Sequence, residues 1–463
     1  MTDSKNPLLA KFEQALENLL GSDGHVRTVK AKKNIVSLFF LRGITSAVNF
    51  FLVPLTLHYL NPTKYGIWLT LSSMVAWVSF MDVGLGNGMR NKFAEAIAKN
   101  DRDLARSYVS TTYAVISIIM IGVVILFLIV NPFLHWSGIL NTSPEMESEL
   151  SSLAVLMFVL FALRLIFGLI GTLLIAFQRP GMSSFLEAII SILSLTVVYI
   201  LTKTTTGSLF WLGGSISIIS AGVPLIANIW YFNGRYRWFA PTISSIDTRH
   251  ARELLSLGTQ FFVLQLSGLV MYSTANIIIT QLFGPSGVTP YNIAYKLFGI
   301  PLMAFLIILT PFLTAVTDAY VRGEIDWIRR AMKKLIKLWL VLGVGLLILI
   351  VFANRLYGLW VGKDIVVPFS LSVFMGVYAM AFAWSNIIGY FISGTGKLRL
   401  QIWISPLASV LNIPLAIFLA KNLNLNTTGV ILATCLCLLP GCVILPFQLK
   451  RILNGTAVGI WAK

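Results

Sequence analysis

The sequence predicts an all-α polytopic membrane protein with twelve transmembrane helices, which form two six-helix lobes around a central cavity. Composition gives the first reason: of 463 residues 57% are hydrophobic and only 11% charged, against about 25% charged in a soluble domain. Long apolar runs give the second reason, and an internal repeat of short motifs gives the third. The mean hydropathy of +0.82 agrees with this class.

Each membrane-crossing helix needs about 20 mostly apolar residues, and the chain contains twelve such runs. They cover 35–57, 66–83, 107–130, 151–177, 183–202, 208–232, 258–283, 291–317, 336–354, 369–393, 401–420 and 429–449. The predicted organisation is an amino-terminal segment 1–34, an N-lobe 35–232, a linker 233–257, a C-lobe 258–449 and a tail 450–463.

The basic residues predict the orientation. If alternate loops lie on opposite sides, 27 of the 35 Lys and Arg residues fall on the side of the amino terminus, and 5 fall on the other side. Short loops rich in Lys and Arg remain in the cytoplasm, so both termini and the linker are expected there. The net charge of +17 follows from these loops, and the pattern disfavours nucleic acid as a partner.

Short motifs recur at a near-constant offset. Asp103-Leu-Ala-Arg106 returns 223 residues later as Asp326-Trp-Ile-Arg329, and Leu201-Thr-Lys203 returns 218 residues later as Leu419-Ala-Lys421. An even number of helices in each half gives both halves the same orientation. The repeat therefore predicts two lobes that are related by an axis along the membrane normal, with a cavity between them.

A glycine-rich hinge follows the second apolar run. The run ends at Asp82, and Gly84, Gly86 and Gly88 are expected to turn the chain because glycine tolerates positive φ. A dinucleotide-binding loop is disfavoured, because Met89 occupies the position of its third glycine and the preceding element is a membrane helix instead of a strand.

The residues around this hinge resemble a known family. Tyr65-Gly-Ile-Trp68, the segment from Asp82 to Lys92 and the pair Asn100-Asp101 are similar to the Wzx-type O-antigen flippases. These form the polysaccharide branch of the multidrug/oligosaccharidyl-lipid/polysaccharide exporter (MOP) superfamily, whose fold is MATE-like.

The resemblance implies a transporter and not an enzyme. Its substrate would be an undecaprenyl-pyrophosphate-linked oligosaccharide, an O-antigen or related repeat unit. Alternating access would carry it from the cytoplasmic to the periplasmic leaflet of a bacterial inner membrane. Besides the lipid bilayer and the polyprenyl-pyrophosphate-linked glycan, the implied partners are a polysaccharide polymerase and chain-length proteins. No cofactor is implied beyond proton or sodium coupling.

Three cations lie inside predicted helices, namely Arg42, Arg164 and Lys296. Ionisable residues within a membrane helix are costly and usually face a cavity or a partner. Their staggered depths, with Arg164 at the centre of its helix, suit an anionic substrate such as a lipid pyrophosphate, since guanidinium groups bind phosphate oxygens in pairs. Two structural alternatives remain: Arg42 could pair with Asp82, and Lys296 could snorkel to the interface.

The candidate coupling carboxylates are Asp82, Glu187 and Asp318, which the runs place near cytoplasmic helix ends. Asp82 could instead be a helix-end partner. A cation-coupled multidrug exporter of the same fold is the alternative function, but it requires a buried anion at mid-depth. A membrane-bound glycosyltransferase would require acidic metal ligands on a large loop, and the linker holds only Asp247 and Glu253.

No metal site is expected from the cysteines. Cys435, Cys437 and Cys442 lie together in the last apolar run, where they are expected to pack as small hydrophobic residues.

Overall fold

The computed structural model describes residues 26–82 and 84–462. The first 25 residues of the predicted amino-terminal segment 1–34 therefore lie outside the described part. Within that part the chain is helical and contains no strand. The prediction of an all-α membrane protein is confirmed.

Fourteen helices of nine or more residues make up the described chain. In chain order they are α1 Val26–Leu60, α2 Pro62–Ala76, α3 Leu85–Ala98, α4 Arg102–Val130, α5 Glu147–Ala176, α6 Pro180–Thr204, α7 Leu209–Asn233, α8 Thr248–Ser273, α9 Ala275–Phe283, α10 Val288–Val321, α11 Ile325–Val361, α12 Phe369–Thr395, α13 Arg399–Ile417 and α14 Asn426–Leu453.

In the described residues, eleven segments are long and apolar enough to cross a membrane. The remaining predicted run, 66–83, corresponds to α2 and the 3-10 segment Trp77–Asp82 that continues it. At their standard rises the two pieces span about 34 Å, which is enough to cross a hydrocarbon core of about 30 Å. The second crossing is thus made by a composite element, consistent with twelve helices.

The hinge differs from its prediction. Gly84 alone has a positive φ, of 76°, and forms the N-cap of α3. Gly86 and Gly88 lie within α3, so the prediction that they turn the chain is wrong. Gly88 instead permits close packing, because a Cβ atom there would lie 2.9 Å from the carbonyl oxygen of Leu254 in α8.

Each half packs around its own helices. In the N-lobe α1 packs on α6 and α5 packs on α7. In the C-lobe α12 lies between α10 and α14, and α13 packs on α8 and α14. Because α2 also reaches α9 and α10, one continuous apolar core extends from Val53 to Leu453 and joins the two lobes.

The lobes meet at the end opposite to the basic loops, in a contact region that we call the opposite-end seal. A Cβ atom on Gly66 of α2 would lie 1.8 Å from the carbonyl oxygen of Pro285, so only glycine allows this approach. The hydroxyl groups of Thr70 and Thr280 lie 2.7 Å apart, and the Thr289 hydroxyl donates to the carbonyl oxygen of Pro62 at 2.7 Å. The seal is therefore tight and mostly uncharged.

Different contacts tie α8 to the N-lobe at the basic end. Lys92 of α3 forms an ion pair with Glu253 of α8, which also accepts a hydrogen bond from the Tyr108 hydroxyl at 3.0 Å. His250 lies 2.9 Å from the Ser107 hydroxyl. We call these five residues the basic-end cluster. The Glu253 hydrogen bond raises the pKa of Lys92, and the Lys92 hydrogen bond lowers the pKa of Glu253.

Candidate substrate-transport site

Arg164 lines a cavity of about 240 Å³ within the N-lobe. It lies near the middle of the apolar helix α5, directly after Ala162, which is buried, and Leu163, which is exposed. Trp68 and Ser72 of α2 and Ser217 of α7 line the same cavity. The Ser72 hydroxyl is buried and has no hydrogen-bond partner among the described residues. The cavity thus offers a cation and one buried hydroxyl group without a partner among the described residues.

An acid from another helix approaches Arg164. One guanidinium nitrogen lies 3.8 Å from a carboxylate oxygen of Glu187 in α6. The side chains are 38% and 59% exposed, so the pair is open to exchange of partners. At this distance a single nitrogen makes a weak contact, and the remaining N–H groups of the planar guanidinium are available to phosphate oxygens.

Lys296 contacts the other lobe instead of an acid. Its ammonium lies 3.3 Å from the Tyr65 hydroxyl and 6.0 Å from the centre of that ring. Because α10 begins at Val288, Lys296 lies about 12 Å from the end of its helix, deeper than the run 291–317 suggested. The described residues include no carboxylate partner for it. Lys296 therefore contributes to the opposite-end seal.

Arg42 and Asp82 do not form the predicted alternative pair. Arg42 is exposed on α1 and makes no hydrogen bond or ion pair with any described residue. Asp82 accepts a hydrogen bond from the backbone N–H of Gly86 at 2.9 Å. The Asp82 carboxylate therefore holds the first turn of α3, which agrees with its reading as a helix-end partner.

Asp318 lies apart from the other candidates. It pairs with Arg322 one turn further along α10 at 3.0 Å, and both side chains are more than 60% exposed. Of the six candidate residues, the structure brings together only Arg164 and Glu187. The three cations have different surroundings and do not form one cluster.

Two further cavities lie in the C-lobe, and the charge-based search missed them. The larger, of about 430 Å³, has a lining without Asp, Glu, Lys, Arg or His, in which Asn386, Gln401 and Ser405 supply polar groups. The smaller, of about 320 Å³, is lined by aromatic and Met side chains that include Tyr295 and Met303. Phe382 lines both, so they adjoin. Polar residues inside the apolar runs of α12 and α13 were the available signal.

The described residues contain no group of three or more His, Cys, Asp or Glu side chains that could hold a metal ion. Cys435 and Cys437 are buried and Cys442 is half-buried, and all three are free thiols. The basic-end cluster and the seal supply polar contacts between elements.

Comparison with known proteins shows which family the sequence resembles. Residues 31–317 match the family model described as polysaccharide biosynthesis protein. A Salmonella typhi protein named "Putative O-antigen transporter" is 21% identical over 395 residues, which cover 82% of this chain and 87% of that protein. A Yersinia pseudotuberculosis protein named for O-antigen export is 22% identical over 383 residues, with 80% and 85% covered. These matches confirm the resemblance found at Tyr65–Asp101.

Solved structures show the same fold. A multidrug resistance MATE family transporter of the MOP superfamily, in an inward-facing conformation, matches with a TM-score of 0.71 and 15% identity, covering 98% of this chain and all of that chain. A MOP superfamily transporter from Pyrococcus furiosus, described as having a binding pocket of reversed polarity, matches with a TM-score of 0.66 and 15% identity, covering 95% of this chain and 98% of that chain. The chain is a multi-pass membrane protein with the MATE-like fold.

Proposed function

Because the chain belongs to the polysaccharide biosynthesis protein family, we propose that it is a flippase for an undecaprenyl-pyrophosphate-linked oligosaccharide, an O-antigen or related repeat unit. It moves this lipid from the cytoplasmic to the periplasmic leaflet of a bacterial inner membrane and catalyses no covalent reaction. The names of the Salmonella and Yersinia relatives, which refer to O-antigen transport and export, support this substrate class.

The observation that carries the proposal is the placement of Arg164. A guanidinium that lines a cavity in the membrane interior offers paired N–H donors to a pyrophosphate. Its partner Glu187 is distant enough, at 3.8 Å, to be displaced by a stronger anion. Binding at a single cation also remains weak enough for release on the far side, whereas a cluster of cations would retain the substrate.

Alternating access explains the two sets of contacts between the lobes. With the basic end assigned to the cytoplasm by the positive-inside rule, the opposite-end seal closes the periplasmic side. Gly66 and Pro285 form its tightest contact. In this state substrate reaches Arg164 from the cytoplasmic side. Release requires that the seal opens while the lobes approach each other at the basic end.

A cation-coupled multidrug exporter would require a negatively charged site instead of a positively charged one. It requires an unpaired anion beside the substrate path, whereas the described lining of the N-lobe cavity includes Arg164 and no carboxylate, and the nearby Glu187 already faces Arg164. The neutral lining of the larger C-lobe cavity offers no anion either.

Mass spectrometry of the lipids that co-purify with the protein tests the proposal. The expected result is a polyprenyl-pyrophosphate oligosaccharide that is enriched over bulk membrane lipid. Expression of the chain in a strain without its own repeat-unit flippase should restore surface polysaccharide. Export of cationic drugs without any such restoration would contradict the proposal.

A further inference from the structure

The larger C-lobe cavity contains polar groups that the protein does not satisfy. The Gln401 carboxamide makes no hydrogen bond with any described residue, and its oxygen is buried. The hydroxyl groups of Tyr390, Ser393 and Ser405, which also line the cavity, likewise have no hydrogen-bond partner in the described part of the chain. A buried amide oxygen is normally paired, so the Gln401 oxygen lacks a partner that a ligand or water would supply. The three hydroxyl groups belong to partly buried residues and are free to bond to the same occupant.

Asn386 completes the polar lining. Its amide nitrogen donates to the backbone carbonyl of Phe382 at 2.8 Å, which fixes the side chain and leaves its oxygen as an acceptor. Ser409, by contrast, is satisfied by backbone carbonyls of Ser267 and Ser405 at 2.7 and 2.8 Å. The cavity thus combines a fixed wall with several donors and acceptors that are all neutral.

Glycines keep the cavity open. A Cβ atom on Gly389 would meet only the Gln401 amide at 3.6 Å, and one on Gly441 only Leu445 at 3.9 Å. Helix packing does not require glycine there, in contrast to Gly394, where a Cβ atom would lie 2.7 Å from Val316. Glycine is unfavourable inside a helix. Its presence at two lining positions without steric need indicates that space itself is retained.

The position of the cavity suits a ligand that arrives from the basic end. Gln401 is the third residue of α13, and Ser409 lies about 12 Å further along that helix. The cavity therefore extends from the basic end toward mid-depth. The adjoining cavity presents Tyr295, Tyr378 and Phe382, and flat aromatic faces stack well against the apolar faces of sugar rings.

We infer that the larger C-lobe cavity binds a sugar residue of the glycan by neutral hydrogen bonds from Asn386, Tyr390, Gln401 and Ser405. This inference rests on the proposed function and divides the substrate between the lobes. The N-lobe holds the charged pyrophosphate at Arg164, and the C-lobe holds the uncharged carbohydrate. A lipid chain would leave these polar groups unsatisfied, and a neutral lining suits sugar hydroxyl groups better than an ion.

Binding of a phosphate-free sugar tests the inference. The probe is the oligosaccharide that mild acid releases from the host's polyprenyl-linked glycan, added to the purified full-length protein in equilibrium dialysis. The wild-type protein should bind it. Gly389→Leu, which fills the cavity, and Gln401→Leu, which removes the amide at similar volume, should each weaken binding about tenfold or more.

Two control variants distinguish the proposed sugar site from the pyrophosphate site and from nonspecific effects of substitution. Gly345→Leu, on an exposed part of α11 with no atom within 4 Å of the added Cβ, should leave binding unchanged. Arg164→Ala should also bind the phosphate-free oligosaccharide normally, even though it should not support transport. That combination distinguishes the sugar subsite from the pyrophosphate site.

The inference is overturned if the wild-type protein does not bind the oligosaccharide. It is also overturned if Gly389→Leu and Gln401→Leu, eluting as the wild type does in size-exclusion chromatography, bind it with unchanged affinity. Sugar binding that is lost in both variants, together with co-purifying lipid that carries no glycan, would instead reject the flippase and retain the sugar site.

Discussion

Arg164 of α5 and Glu187 of α6 face each other with 3.8 Å between a guanidinium nitrogen and a carboxylate oxygen. Arg164 lines the N-lobe cavity, so the approach brings an anion from the adjacent helix to a cation of that cavity. Because neither side chain is fully buried, the pair is not a rigid structural bridge. In the proposed function, Glu187 balances the charge of Arg164 until a phosphate group of the substrate displaces it.

Arg164→Ala should abolish transport and leave expression and membrane insertion intact, because removal of a charge makes α5 more compatible with lipid. Arg164→Lys should retain part of the activity, since it keeps the charge but loses the bidentate geometry. Arg164→Glu should be inactive through repulsion of the substrate. Restoration of surface polysaccharide in a flippase-null strain measures all three.

Arg355→Ala is the matched control, because Arg355 is an exposed arginine of α11 at the opposite end. It should transport normally. Full activity of Arg164→Ala would remove Arg164 from the site. Loss of the protein itself from the membrane fraction would show that the ion pair is structural.

Replacement of the three candidate carboxylates by amides tests coupling. We expect Glu187→Gln to change both the rate and the pH dependence of flipping in reconstituted vesicles, because it leaves Arg164 without its partner. Asp318→Asn should have the smallest effect, since the Asp318–Arg322 pair is exposed to solvent. If Asp82→Asn, Glu187→Gln and Asp318→Asn all retain the wild-type rate and pH profile, carboxylate-based coupling is wrong.

Cross-linking of the opposite-end seal should stop transport. The Thr70 and Thr280 hydroxyl oxygens lie 2.7 Å apart, so cysteines at both positions are close enough to form a disulfide. In a background where the three native cysteines are replaced by alanine, oxidation should abolish flipping and reduction should restore it. The single Thr70→Cys variant should be insensitive to oxidant. Undiminished flipping by the cross-linked protein would show that the seal does not open.

The ion pair between Lys92 and Glu253 should stabilise the protein only above acidic pH. The pKa of Glu253 is lowered, so its contribution is present above its ordinary value of 4.5 and is lost as the pH falls through the lowered value. The pKa of Lys92 is raised, so its contribution persists to at least its ordinary value of 10.5. Lys92→Met should therefore lower the apparent Tm at pH 7, and the difference from wild type should shrink only as the pH falls below 4.5 and through the lowered pKa of Glu253.

The expected effect is small, since exposed ion pairs typically contribute less than about 1 kcal/mol. Lys363→Met, which removes an exposed lysine near the opposite end, should have no comparable effect. A Tm difference that stays constant as the pH falls well below 4.5, where Glu253 becomes protonated, would show that Lys92 acts through packing and not through its charge.

Cysteine labelling in intact cells tests the orientation. Asn100 lies in the exposed turn between α3 and α4, and Asn424 lies in the exposed turn before α14. A membrane-impermeant thiol reagent should label Asn424→Cys and not Asn100→Cys, which should react only after the membrane is permeabilised. Labelling of Asn100→Cys from outside would invert the topology and the proposed direction of transport.

Apolar runs and basic loops were enough to predict the helices, because length and hydropathy are properties of one segment at a time. The surroundings of Arg164 in the N-lobe were partly predictable, because they too could be argued from a single segment. Arg164 has no acid near it along its own helix, so a cavity or an acid from another helix was expected. The structure shows both a cavity and Glu187. Glu187 could not be identified as that partner from the sequence, because the contact depends on how α5 packs against α6.

Contacts between distant segments could not be predicted in this way. Trp136-Ser-Gly138 recurs as Trp360-Val-Gly362 at a similar offset, yet the two indole groups have different partners. Trp136 donates to Asn131 within the N-lobe, whereas Trp360 donates to the backbone carbonyl of Phe50 in the other lobe. Gly66 lay in a motif, but its closeness to Pro285 depends on how the lobes dock. The neutral C-lobe cavity was not predicted, because only charged residues inside the helices were considered as site candidates.

The described contacts at the two ends of the bundle respond differently to salt. At the opposite-end seal they are hydrogen bonds between neutral groups, together with the single cation Lys296 against Tyr65. At the basic end they include the partly exposed ion pair of Lys92 with Glu253. Mobile ions screen exposed charges within about 8 Å at physiological ionic strength, but they hardly affect uncharged hydrogen bonds. Ionic strength therefore acts on the contacts at the basic end and spares those of the opposite-end seal, so the salt concentration at the basic end controls how tightly α8 is held to the N-lobe.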